Sequence, residues 1–191
     1  MLVDLLKKNR SYRRFYQSER IAEKRLIDLV ELTRYCSSAA NLQPLKYYCV
    51  TDENICDKLF HSIKWAGALP EWDGPIEGER PSAYVVQTLD LNISNNCLCD
   101  DGIQLEAMSL GAVEDGLGVC IIKSFNIKEV TEILNIQNNY KPLYVMALGK
   151  PKEEVVIEDV KDDQINYWRD ENAVHHVPKR KIEDLIVKVI K

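Results

Sequence analysis

In AEKRLIDLVELTRY, residues 22 to 35, the positions Ala22, Leu26, Leu29, Val30 and Thr33 recur at three- and four-residue spacing, which predicts an amphipathic helix with one buried face. A short helix is expected before it, over LVDLLKK (2 to 8). KYYCVTD (46 to 52) reads as a strand, and NICDKLFHSIKW (54 to 65) as a second helix. SAYVVQTLD (82 to 90) is a strand. From Cys99 to Leu117 a long helix is expected to be mostly buried. Ile103, Ala107, Leu110, Val113 and Leu117 line one side of it, while Leu105, Met108 and Ala112 keep the other apolar.

GVCIIKSF (118 to 125) is the next strand. Asn126, with Glu129 three residues on, opens the helix NIKEVTEIL as an N-cap with a capping-box partner. PLYVMALG (142 to 149) is the fourth strand, closed by Gly149 and Pro151. A last amphipathic helix is expected on Ile182, Leu185, Ile186 and Val189. Helices alternating with strands around a small sheet make an α/β or α+β domain.

The stretch GALPEWDGPIEGERP, residues 67 to 81, interrupts this pattern with three Gly and three Pro, and it also carries Leu69 and Trp72. A loop of this length inside a compact domain is usually functional or disordered. No linker, repeat or low-complexity run divides the 191 residues, so 1 to 191 is expected to be a single domain. A lid-like loop at about 66 to 81 and a C-terminal extension from about 151 would be its appendages.

Hydrophobic residues make up 46% of the chain and charged residues 29%, as in an ordinary soluble protein. No apolar run reaches the roughly 18 to 20 residues that cross a bilayer, and MLVDLLKKNRSYRRF lacks a cleavage pattern, so no membrane association and a cytoplasmic location are expected. Cys36, Cys49, Cys56, Cys97, Cys99 and Cys120 are too irregularly spaced for a disulfide scaffold and read as reduced thiols.

The formal charge of −5 is unevenly placed. Residues 1 to 25 hold eight Lys/Arg against three Asp/Glu, residues 179 to 191 hold five against two, and the body between is strongly acidic. Basic ends on an acidic body argue against a nucleic-acid surface, which needs a wide positive field. They allow one focused anion site built from both ends.

Other chemistry finds little support. The glycines of GLG, 116 to 118, follow a helix and precede a strand, the reverse of a dinucleotide-binding turn, and read as a helix stop. The CxC at Cys97 and Cys99 and the pair His175 and His176 lack further ligands at metal-site spacing, so no metal is expected. There is no P-loop and no GxSxG. An enzyme of this composition would rely on a cofactor for its chemistry.

The richest segment is NRSYRRF, 9 to 15. Arg10, Ser11 and Arg13 sit on a connection between two helices, where guanidinium forks and a hydroxyl can converge on phosphate; a plain solvated face is the alternative. CSSAANLQP, 36 to 44, ends a helix with small and amide side chains that could hydrogen-bond a polar heterocycle.

Together these stretches resemble the nitroreductase family of FMN-dependent oxidoreductases. NRSYRRF is similar to the family's R-R-S-x-R-x-F, and SSAANLQP to its P-S-x-x-N-x-Q-P. The likeness continues through GERPSAY, the buried helix, GLGVCIIKSF, YVMALGKP and PKRKIEDLI, and covers nearly the whole chain in order. The resemblance implies an α+β sandwich whose mixed, mainly antiparallel central sheet is flanked by helices, in an intertwined homodimer binding FMN at the subunit interface.

By the resemblance, Arg10 and Ser11 hold the phosphate and ribityl end of FMN, Arg13 reaches the flavin pyrimidine, and Ser38, Ala39 and Asn41 come from the other subunit. The segment of Lys123 and Ser124 presents backbone N–H groups to flavin N5 and O4, and Lys179 and Arg180 are basic phosphate ligands. Trp65, Leu69 and Trp72 are candidates for a lid over the substrate. Asn9 stands where the family has arginine, Ser37 where it has proline, and Ile121, Ile122 and Lys123 where it has W-I-G.

The implied activity is ping-pong: NADH or NADPH reduces FMN, which then reduces a small planar acceptor such as a nitroaromatic, a quinone or a flavin. A fragmenting or dehalogenating flavin enzyme, or a non-catalytic flavin-binding protein, would carry the same motifs.

Overall fold

The computed structural model describes residues 1 to 191. Strands β1 (Leu45–Val50), β2 (Ala83–Asp90), β3 (Gly118–Ile122) and β4 (Tyr140–Gly149) form an antiparallel sheet in the order β1-β2-β4-β3. β2 is buried at all of its positions, as its unbroken apolar AYVV requires of a strand covered on both faces. Alternation divides it. Ala83 and Val85 join Met146, Leu148 and Val119 on one face, and Tyr84 and Val86 join Val145, Ala147 and Cys120 on the other.

Helices α2 (Glu23–Leu32) and α4 (Asp100–Glu114) cover the first face through Leu26, Leu29, Leu105, Met108 and Ala112. The second is covered by α3 (Glu53–His61) and α5 (Ile127–Ile133) through Leu59, Phe60 and Val130. The result is an α+β sandwich. Leu26, Leu29 and Leu59 are fully buried, and truncating any of them to Ala would cost about 2 to 5 kcal/mol.

Several elements differ from their expected form. α3 ends at His61 rather than at 65, because the chain turns out of the helix to meet the next strand connection. Ile63 bridges Phe125, and the Lys64 N–H donates to the Ser124 carbonyl at 2.9 Å. On α4 the sheet takes the Leu105, Met108 and Ala112 side, and leaves Ile103 40% exposed. The expected last helix is reduced to α6 (Ile182–Leu185), and Ile182, Leu185, Ile186 and Val189 are all exposed. Nothing in the chain packs on their apolar side, and a short helix without tertiary contacts is marginal in water.

Past Pro151 the sequence reading placed no strands, yet β5 (Val155–Asp159), β6 (Trp168–Arg169) and β7 (His175–Lys179) make a second, three-stranded sheet in the order β5-β7-β6. No helix is long and apolar enough to cross a membrane. All six cysteines are free; burial pushes the Cys56 and Cys120 thiols up to about 11, so both stay protonated.

Candidate active site

Helix α1 (Leu2–Lys8) delivers NRSYRRF to the β3 edge of the main sheet. Ser11 makes a parallel bridge with Val119, and the Tyr12 N–H donates to the Val119 carbonyl at 2.9 Å. Gly118 permits this contact, because a β-carbon there would lie 2.7 Å from the Tyr12 ring. Gly116, with φ +71°, is the helix stop expected of the GLG.

The three arginines of this segment have different partners. Arg14 Nε and Nη2 donate to Glu79 Oε2 and Oε1 at 2.5 and 2.8 Å, and Lys152 Nζ lies 2.9 Å from Oε1. The hydrogen bonds from Arg14, helped by Lys152, outweigh the burial of the Glu79 carboxyl and bring its pKa down to about 2. Arg14 is thereby neutralised. Arg10 donates through Nη2 to the Leu6 carbonyl at 2.8 Å, and its buried Nε has no partner. Arg13 Nη1 reaches the Ser11 carbonyl and His175 Nε2, each at 3.2 Å, and its guanidinium stands 4.7 Å over the Tyr167 ring. Neither Arg10 nor Arg13 meets a carboxylate.

Arg10, Ser11 and Arg13 line a cavity of about 340 Å³ with Asn9, Glu106, Ser109, Tyr167, His175 and Lys179. Asn9 fastens the segment to α4: its Nδ2 donates to Glu106 Oε1 at 3.1 Å, and Ser109 Oγ donates to its Oδ1 at 2.6 Å. Glu106 is the one carboxylate of the lining, against Arg10, Arg13 and Lys179. A larger hollow of about 510 Å³ contains Arg20 and Arg80, but these are paired with Glu53 and Asp57 at 3.5 and 2.6 Å. Arg10, Arg13 and Lys179 of the smaller cavity, by contrast, make no ion pair.

His175 is 1% exposed. Burial first, then the charges of Arg13, Arg169 and His176, bring its pKa down to about 4. An arginine can only donate, so Nε2 accepts and the ring is neutral with its proton on Nδ1.

Of the residues expected at the site, Arg10, Ser11, Arg13 and Lys179 come together, and the others lie elsewhere in the chain. Arg180 turns to Asp163 at 3.1 Å. Ser38 Oγ and the Ala39 N–H donate to the buried carboxylate of Asp100 at 2.5 and 2.9 Å, and exposed Asn41 accepts from Gln43 Nε2 at its carbonyl. Lys123 and Ser124 border an open depression of about 550 Å³ with His61, Lys64 and Asn126.

Trp65 is in the core, its ring 5.6 Å from that of Phe60. Leu69 and Trp72 border an apolar hollow of about 310 Å³, where the Arg169 guanidinium lies 4.1 Å over the Trp72 ring. Glu106, Ser109, Tyr167 and His175 were not anticipated at the cavity. The only signal among them in the sequence is the adjacent pair His175 and His176.

The chain is thus an α+β sandwich, a helix-covered antiparallel sheet with a cavity on its edge that carries Arg10, Arg13 and Lys179 against Glu106. The model of the nitroreductase family matches residues 6–77 and 98–150, and the chain belongs to that family. A protein of Archaeoglobus fulgidus provisionally named NADH dehydrogenase/NAD(P)H nitroreductase is 24% identical over 153 residues, which cover 80% of this chain and 87% of that one. The nitroreductase family protein of Streptococcus pneumoniae has the same fold, with a TM-score of 0.68 at 16% identity over 99% of this chain and 100% of that one. So has an FMN-dependent nitroreductase of Clostridium difficile, with a TM-score of 0.65 at 20% identity over 84% and 92%.

Proposed function

We propose that this member of the nitroreductase family is an NAD(P)H-dependent FMN oxidoreductase that works as a homodimer and reduces a small planar acceptor by a ping-pong mechanism. The observation that carries the reading is the pair Arg10 and Arg13. Both point charges into one cavity without a carboxylate partner, and the buried Nε of Arg10 lacks an acceptor that a phosphate oxygen would supply. FMN is named in the neighbour from Clostridium difficile, and NAD(P)H in the relative from Archaeoglobus fulgidus.

The residues present fit the group. Arg10, Ser11 and Lys179 would hold its phosphate and ribityl end, each charge-assisted hydrogen bond contributing about 1.5 to 3 kcal/mol. Arg13 would face the pyrimidine. Bound FMN supplies the redox chemistry, accepting electrons from NAD(P)H and passing them to the acceptor.

Ser38, Ala39 and Asn41 would complete the cavity of a partner subunit, where Asp100 already holds the first two in place. The backbone at Lys123 and Ser124 would donate to the flavin ring, and Leu69 and Trp72 would exclude water from the acceptor. The exposed Ile103 and the apolar positions of α6 would be covered by the second copy.

Titration of the purified protein with FMN, followed by rapid mixing with NADH and with NADPH, tests the reading. It expects tight uptake and bleaching of the visible flavin band. Uptake without bleaching would leave a flavin-binding protein, and no uptake would remove the proposal.

A further inference from the structure

We infer that His175 is a positioning residue for Arg13: together with the Tyr167 ring it fixes the guanidinium at the cavity wall through uncharged contacts alone, which keeps the positive charge undiminished for the flavin. This rests on the FMN reading of the cavity.

Arg13 and its neighbour Arg14 show the contrast within one segment. Arg14 is held by the Glu79 carboxylate, which cancels its charge. Arg13 is held by a neutral imidazole at 3.2 Å and an aromatic face at 4.7 Å. Glu153, the acid that holds this segment's backbone, is engaged elsewhere: it accepts from the backbone N–H groups of Arg13 and Arg14 and from Arg169 Nη2 at 3.1 Å. The position of the cation is therefore set without neutralising it.

The clamp is rigid. His175 opens β7, where it pairs with Arg169 of β6 and Val155 of β5, and its N–H donates to the Glu154 carbonyl at 2.9 Å. The rings of His175 and Tyr167 lie 5.1 Å apart, and the Tyr167 hydroxyl accepts from the Ala68 N–H at 3.1 Å. A fixed cation beside a group that gains negative charge on reduction favours its reduced form, and one placed beforehand does so without reorganising.

The test compares the wild type with His175→Leu, His175→Gln and His175→Glu by FMN dissociation constant, flavin midpoint potential and thermal melting. Loss of the acceptor in His175→Leu is expected to weaken FMN binding about three- to tenfold and to make the potential more negative. His175→Gln, whose amide oxygen can still accept from Arg13, should restore both. His175→Glu should hold Arg13 as firmly but with a carboxylate, and its potential should be more negative than that of His175→Gln.

A folded His175→Leu protein with wild-type binding and potential would overturn the inference alone, and so would equal potentials for the Gln and Glu variants. The latter comparison stands even where His175→Leu fails to fold. No FMN uptake by the wild type would overturn the reading beneath it as well.

Discussion

Gly149 lies against Phe15 so closely that a β-carbon built on it would sit 2.7 Å from Cδ1 and 2.8 Å from Cβ of that side chain. Phe15 is fully buried, bridges Pro151, and ends the segment that carries Arg10, Ser11 and Arg13. The last residue of β4 thus sets how near the basic segment can approach the sheet.

Gly149→Val should displace Phe15 and the residues before it. An overpacking cost of about 1 to 3 kcal/mol is expected in urea unfolding, with weaker FMN retention than the stability loss alone explains. Wild-type FMN affinity in the variant would refute the link between this contact and the pocket.

Glu79→Gln removes the acid shared by Arg14 and Lys152 and leaves two cations facing a neutral amide. Stability should fall by about 2 kcal/mol, read from denaturant melts. Arg14→Gln should relieve part of that loss when combined with it, because the unpaired charge is then gone.

Acidification should weaken the fold in two windows. The unfolded chain protonates His175 near its ordinary 6.5, while the folded chain, where burial first and then the charges of Arg13, Arg169 and His176 disfavour the charged ring, resists until about 4. Stability therefore falls between those values and no further from this group. Glu79, ordinarily 4.5 and held at about 2, contributes stability above 4.5 that is lost as pH drops towards 2. Each effect is on the order of 2 kcal/mol at full development once solvent screening is allowed for. Unfolding measured against pH should show the upper window vanish in His175→Gln and the lower in Glu79→Gln.

Arg10→Ala should weaken FMN binding about ten- to a hundredfold, since its Nε and charge have no other partner in the cavity. Arg180→Ala should change it little, because that guanidinium is turned to Asp163. Fluorescence titration of both variants decides the assignment, and equal losses would contradict it.

The main sheet was legible because its strands are short apolar runs bounded by Gly, Pro or polar residues, and α2 because Leu26 and Leu29 share one face. The basic segment stood out by its charge against an acidic body. What could not be read was partnership across long separation: Arg13 meets a histidine 162 residues on, and Ser38 an aspartate 62 residues on. β5, β6 and β7 carry no apolar periodicity, because they are two to five residues long, mostly part-exposed, and made largely of charged, His and Pro residues after the VVI of β5. α6 stayed a single turn for the opposite reason: its apolar pattern suits a helix, but nothing in the chain lies against it.

The hydrogen bond from Ala68 to Tyr167 makes one ring a hinge pin shared by two parts of the molecule. The loop from 66 to 81 and the Arg13 cation cannot be redesigned independently. A change in the loop that shifts Ala68 would move the ring beneath the guanidinium, so attempts to widen the range of acceptors by loop grafting should drift in cofactor retention at the same time.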